Sequence, residues 1–312
     1  EVKYTRNISS TRIKEKIFKA GTSPENRITM LRRLMNAKKI VRVLESHNSL
    51  TGLIIEKLKI SKREKFLEFD GMWSSSLTDS VTRGKPDNQS VDYSTRISGL
   101  NEILDVTTKP LIFDADNGGR IEHLPYLIKT LERLGVSAMV IEDKIGLKKN
   151  SLFADQSESK QDSIKNFCKK ITLAKNSKKS DDFMIVARIE SFILKKGLND
   201  AVKRAEAYSK AGVDAILIHS KEKSPNQIFS FSKKFLKNKY AKPLIAVPST
   251  YSKTYEEKLI KNGFKIVIYA NHLLRAAYPA MVFAAKKILN HQRSFEIEKK
   301  ISSIKDIINL IH

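Results

Sequence analysis

The chain has 312 residues, enough to bury a full core; 41% are hydrophobic, as in a globular protein, and no apolar run is long enough to span a bilayer. A single cysteine, Cys168, excludes an intrachain disulfide framework and points to a reducing compartment, so a cytoplasmic location is expected. A net charge of +24 would suit nucleic acid or an anionic membrane, but the charge is mostly lysine scattered over the helical segments, not arginine interleaved with aromatics; it reads as a solvated surface, and neither partner is expected.

Residues 1–37 are polar and basic, with a helical pattern near 28–35 and the turn signal Gly21-Thr22-Ser23-Pro24; a leader or a linker from another domain is expected there, outside the core. Residues 38–312 are expected to form the main domain. Strands are predicted at 40–44, 71–74, 111–113, 139–141, 183–187, 216–218, 244–247 and 266–269. Helical patterns alternate with them, at 49–57, 91–104, 121–134, 162–175, 198–211, 226–237 and 255–262. Eight short apolar strands alternating with helices predict a (β/α)8 barrel of the TIM type. The other architecture, an open doubly wound sheet, usually carries a glycine-rich turn after its first strand, and ESHNSLTG offers none. The helix at 272–289 is apolar enough to predict burial on more than one side, at a subunit interface or under residues 301–311.

The stretch LIFDADNGG (111–119) ends a strand in Asp114 and Asp116. Strand alternation would point both carboxylates to one side, where they form either a divalent-cation site or a capping pair for the next helix. Other strand ends are polar as well. Glu45, Ser46 and His47 follow the first strand, Ser75 and Ser76 the second, Glu142 and Asp143 the fourth, and Arg188 and Glu190 the fifth; His219 and Ser220, Ser249, and Asn271 with His272 follow the last three. In a barrel these ends form the active-site face, and this ring reads as a cation site opposite an anion site. Two connections stand out: the long 144–159 (KIGLKKNSLFADQSES), either a lid carrying Lys148, Asn150 and Ser151 or a solvated loop, and 77–89, with Asp87 beyond a Gly84/Pro86 turn.

GMWSSSL (71–77), DAD (114–116), IEDKIGLKKNSL (141–152), VARIESF (186–192), AEAYSKAGVDAILIHSK (205–221) and IYANHLLRAA (268–277) together resemble the phosphoenolpyruvate mutase branch of the isocitrate lyase superfamily, from about residue 40 to the C-terminus. The resemblance implies a Mg²⁺ enzyme interconverting phosphoenolpyruvate and phosphonopyruvate, with Asp114 as direct metal ligand and Asp87, Asp116 and Glu142 acting mostly through metal-bound waters. Trp73 would line the pocket, while Ser75 and the amides of Ser76 and Leu77 hold one oxygen end of the substrate. Arg188 and His219 would face its anionic groups, with Lys148, Asn150 and Ser151 closing over it. The resemblance also implies a homo-oligomer, a dimer of dimers exchanging the C-terminal helix between subunits. The chain departs from the family pattern after DxD, where Asn117-Gly118-Gly119 is one residue shorter, at Ser76, where glycine is common, and at 60–69, which resembles an insertion.

The chemistry accords with these roles: phosphoryl transfer is loose, so the protein mainly positions groups, stabilises charge and excludes water. Phosphonopyruvate hydrolysis is the nearest alternative, since it would use most of the same site. Carbon–carbon lyases of the superfamily carry a lid cysteine, whereas here the lid reads LKKNSL and Cys168 falls in a predicted helix. A non-catalytic basic binding module is the alternative from another class, and the acidic ring opposes it.

Overall fold

Short apolar runs rich in valine and isoleucine, bounded by turns and too short for stable helices, make the strands. The computed structural model describes residues 22–311 except 63, 64, 147, 154, 155, 157 and 158. In chain order the strands are β1 (Val41–Glu45), β2 (Lys59–Lys62), β3 (Lys65–Glu68), β4 (Gly71–Ser74), β5 (Leu111–Asp114), β6 (Ala138–Glu142), β7 (Lys144–Ile145), β8 (Lys160–Gln161), β9 (Met184–Ile189), β10 (Ala215–Ile218), β11 (Leu244–Ala246) and β12 (Phe264–Tyr269). Eight of them close a barrel in the order β1-β12-β11-β10-β9-β6-β5-β4, each pair parallel. Helices connect them, so the fold is the expected (β/α)8 barrel. Alternate strand residues point inward, and Val41, Val43, Ile112, Val140, Val186 and Ile268 meet in one interior cluster.

The helix Pro24–Ala37 belongs to the barrel, contrary to the expectation that 1–37 lies outside the core. Its buried residues Ile28, Leu31 and Met35 recur at one helical face, and Leu31 and Met35 join the interior cluster. Polar contacts fix its place. Buried Arg27 donates through Nη2 to the carbonyls of Leu104, at 3.0 Å, and of Thr107, while Ser137 Oγ donates to the Arg27 carbonyl at 2.6 Å. Thr107 and Ser137 precede β5 and β6, so the helix closes the barrel at the strands' N-terminal ends. Residues 1–21 lie outside the described residues. The stretch 60–69 also has regular structure: β2 and β3 pair as an antiparallel hairpin.

The chain divides after Asn271 into two compact units. The second comprises the helices His272–His291, Phe295–Glu298 and Ile304–Asn309. The first of these spans the predicted apolar helix and has no buried residue; Tyr278, Met281 and Leu289 are exposed. No helix among the described residues is long and apolar enough to cross a membrane.

If the N-terminal helix is the floor of the barrel, Leu31→Ala removes a fully buried side chain and is expected to lower stability by about 2–5 kcal/mol in urea unfolding. Unchanged stability would place the helix outside the cooperative core.

Candidate active site

At the other end of the barrel the strand register brings charged residues together. Asp114 ends β5 and Glu142 ends β6; Arg188 on β9 is the register partner of Glu142. All three line a cavity of about 60 Å³. Trp73, Ser75, Ser76, Leu77, Asp87, Lys148, Asn150, Ser151 and His219 also line it. Of the residues to which the resemblance assigns a role, Asp116 alone is not in the lining; it is buried.

The two aspartates are not placed by strand alternation. β5 ends at Asp114, and Asp116 lies beyond it in the left-handed region, φ 50°, which Asp tolerates better than most residues. The Asp116 N–H donates to Asp114 Oδ1 at 3.1 Å, so a turn, not a pleat, holds the carboxylates together. The polar turn after β4 is a short helix, Ser76–Val81. Ser76 contributes more than its backbone, because its hydroxyl donates to Asp114 Oδ2 at 3.1 Å and accepts from Lys148 Nζ.

Lys148 is the centre of the acidic side. Its Nζ lies 2.6 Å from Asp87 Oδ1 and pairs with Asp116 Oδ1, without the alignment of a hydrogen bond at the latter. Asn150 Nδ2 donates to the other Asp87 oxygen at 2.6 Å. Burial would raise Asp114, but Lys148, Arg188 and Arg96 outweigh it and hold the carboxyl below its usual range. Burial, with Asp114 alongside, pushes Asp116 up despite Lys148 and Arg96. Burial also pushes Glu142 up to about 7 against the pull of Arg188 and Lys144.

On the basic side Glu190, expected only as a member of the polar ring at the strand ends, is the hub. Its Oε1 accepts from Arg188 Nε at 2.6 Å and lies 3.0 Å from His219 Nδ1. Its Oε2 accepts from Ser151 Oγ. Arg188 Nη2 reaches Ser151 Oγ at 2.9 Å and lies 3.3 Å from Glu142 Oε2. Burial, then the Arg188 charge, lowers the His219 pKa, which favours a neutral ring.

Arg96 was missed. Among the largest fully buried side chains, it lies on the buried face of helix Tyr93–Asp105 with Leu100 and Ile103. A charge on an apolar stripe is the signal that would have found it. Its Nε donates to Asp79 Oδ2 at 2.9 Å, its Nη1 donates to the Asp114 carbonyl at 2.6 Å, and Nη1 lies 3.8 Å from Asp116 Oδ2. Phe113 packs against the guanidinium at 4.3 Å.

As formal charges, six carboxylates (Asp79, Asp87, Asp114, Asp116, Glu142 and Glu190) face five cations (Arg83, Arg96, Lys144, Lys148 and Arg188), leaving one negative charge uncompensated. Among the described residues no three His, Cys, Asp or Glu side chains gather closely enough to hold a metal by themselves. The donor set suits a hard cation that takes one or two carboxylates and completes its shell with water and ligand oxygens, as Mg²⁺ does.

A family model described as phosphoenolpyruvate phosphomutase matches residues 31–289. A phosphoenolpyruvate phosphomutase of Tetrahymena pyriformis is 34% identical, over 94% of this chain and 94% of its own. A phosphonopyruvate hydrolase of Variovorax sp. (strain Pal2) is 32% identical, over 90% of this chain and 93% of its own. Among solved structures, a phosphoenolpyruvate phosphomutase from Streptomyces platensis subsp. rosaceus superposes with a TM-score of 0.82 at 31% identity, covering 93% of this chain and 95% of the other. A phosphonopyruvate hydrolase in complex with oxalate and Mg²⁺ superposes with a TM-score of 0.81 at 31% identity, covering 91% and 94%.

The acidic side rests on Arg96. Arg96→Met leaves Asp79 and the Asp114 carbonyl buried without their donor, and is expected to cost about 3–5 kcal/mol in denaturant unfolding. A loss below about 1 kcal/mol, the range of an exposed pair, would show that solvent reaches the cluster.

Proposed function

The chain belongs to the phosphoenolpyruvate phosphomutase family, and from that premise we propose that it is the isomerase itself, interconverting phosphoenolpyruvate and phosphonopyruvate. The reaction conserves every atom: the bond from phosphorus to the enol oxygen breaks, a bond from phosphorus to C3 forms, and the oxygen is left as a ketone. Asp114 would hold Mg²⁺, with Asp116, Glu142 and Asp87 reaching it mostly through water; the bound ion neutralises the residual negative charge of the cluster and of the enolate. The Ser75 hydroxyl and the amides of Ser76 and Leu77, which open a helix and lack intrahelical acceptors, would hold a pyruvate oxygen beside Trp73. Arg188, His219 and Asn150 would hold the phosphoryl group as it changes partners, beside Ser151, whose hydroxyl proton goes to Glu190.

The observation that carries the mutase reading over the hydrolase one is the state of Asp87. It is the candidate base for activating a water, and both its oxygens face lid donors, Lys148 Nζ and Asn150 Nδ2. A carboxylate so engaged is a poorer base toward an attacking water, and the second Asn150 Nδ2 hydrogen is available to a phosphoryl oxygen. Lyase chemistry lacks its cysteine, since Cys168 sits in helix Ile164–Ser177 with Sγ against the Ala207 carbonyl.

Phosphorus NMR of the full chain with phosphonopyruvate and Mg²⁺ is expected to show phosphoenolpyruvate as the main product, with little inorganic phosphate. Chelation is expected to stop turnover reversibly, and Asp114→Ala to abolish it. Dominant phosphate would make the enzyme a hydrolase; undiminished turnover in excess chelator would remove the metal.

The second compact unit supports a homo-oligomer, the dimer of dimers implied by the resemblance, because Tyr278, Leu289, Phe295 and Ile304 are each two-thirds or more exposed. Light scattering at micromolar concentration is expected to give four chain masses. A single chain mass would end that proposal.

A further inference from the structure

Lys144 has no part in the roles assigned so far. It opens β7, is buried, and does not line the cavity. Its Nζ donates to the Lys149 carbonyl at 2.7 Å and to Ser151 Oγ at 2.9 Å. Below, the same Nζ lies 3.8 Å from Glu142 Oε1 and 3.7 Å from Glu190 Oε2. A cation rooted in the floor thus grips the turn that covers the cavity.

That turn is held by polar contacts: Lys148 also meets Ser76 and Asp116, and Ser151 also meets Arg188 and Glu190. Leu152 and Phe153 are exposed, at 38% and 60%, so apolar burial contributes little to holding it. Lys148 and Asn150 tie it to Asp87 through side chains that line the cavity. The grip of Lys144 comes from outside the lining, on one backbone carbonyl and one hydroxyl. Ser151 Oγ is saturated by it: the oxygen accepts from Lys144 and Arg188 and donates to Glu190.

We propose that Lys144 is a positioning residue that latches the 148–153 turn shut, so that the phosphoryl group stays dry while it is between its two bonds. This rests on the mutase reading above, since only a reaction that must exclude water needs such a latch.

The chain has one tryptophan, Trp73, and it lines the covered cavity, so acrylamide quenching of its fluorescence reports the latch without reference to activity. The full chain is compared with K144M, each with Mg²⁺ and phosphonopyruvate. Losing a charge-assisted hydrogen bond is expected to lower the closed-to-open ratio by about tenfold. Trp73 quenching should then rise severalfold in K144M, with a parallel rise in the fraction of phosphorus released as inorganic phosphate. A residue that only stabilised the fold would lower the melting temperature and leave Trp73 quenching unchanged. If circular dichroism shows K144M unfolded, K144Q, which loses the charge and one atom of reach to the Lys149 carbonyl and Ser151, carries the same comparison. Wild-type quenching in a folded K144M, or in K144Q where K144M does not fold, overturns the proposal. If the wild-type chain itself releases mostly phosphate, the mutase reading falls, and the quenching comparison still decides the latch.

Discussion

A cluster of carboxylates in a low-dielectric setting must be met by cations fixed nearby, and this requirement organises the upper end of the barrel. Four of these cations come from different segments: Arg96 from a connecting helix, Lys144 from β7, Lys148 from the covering turn, and Arg188 from β9. None of the four is a local partner of the carboxylates on β5. The acidic side is therefore stable only when elements distant in sequence are in place together, which couples the site to the completed fold.

The same constraint accounts for the sidedness of the site. Arg188 and His219 are locked onto Glu190 and lie against each other, with Arg188 Nη2 3.1 Å from His219 Nδ1, which fixes their positions. On the other side Lys148 supplies positive charge among Asp87 and Asp116 from the covering turn. One wall is built on the strands and the other includes the cover.

Much of this was legible in the chain. The barrel follows from short apolar runs separated by helical periods, because strand burial is set locally. The residues of the cavity were findable because a parallel barrel puts every strand's C-terminal end on one face. What escaped were features that depend on distant partners. The helix Pro24–Ala37 looked like a basic leader because its apolar face is only three buried residues wide, Ile28, Leu31 and Met35. Asp116 appeared to share a pleat with Asp114, and only the turn geometry shows that a positive φ brings them together. Arg96, Lys144 and Glu190 are ordinary charged residues in sequence; their importance lies in what surrounds them after folding. Where Ser76 replaces the glycine common in the family, its hydroxyl gains a link between Asp114 and Lys148 that no backbone argument predicts.

Barrel closure sets a timetable for synthesis. The seam is the pairing of β1 with β12, where Val41 lies beside Ile266. At ribosomal speed the interval between those residues is on the order of tens of seconds, during which β1 carries an unsatisfied edge. An exposed edge of this kind invites pairing with another nascent chain. Helix Pro24–Ala37, made first, can take its final place only against an interior whose last wall is made last. Nascent chains of this protein are thus most vulnerable to misassociation before β12 emerges, and a chaperone that shields the first strand would protect them through that interval.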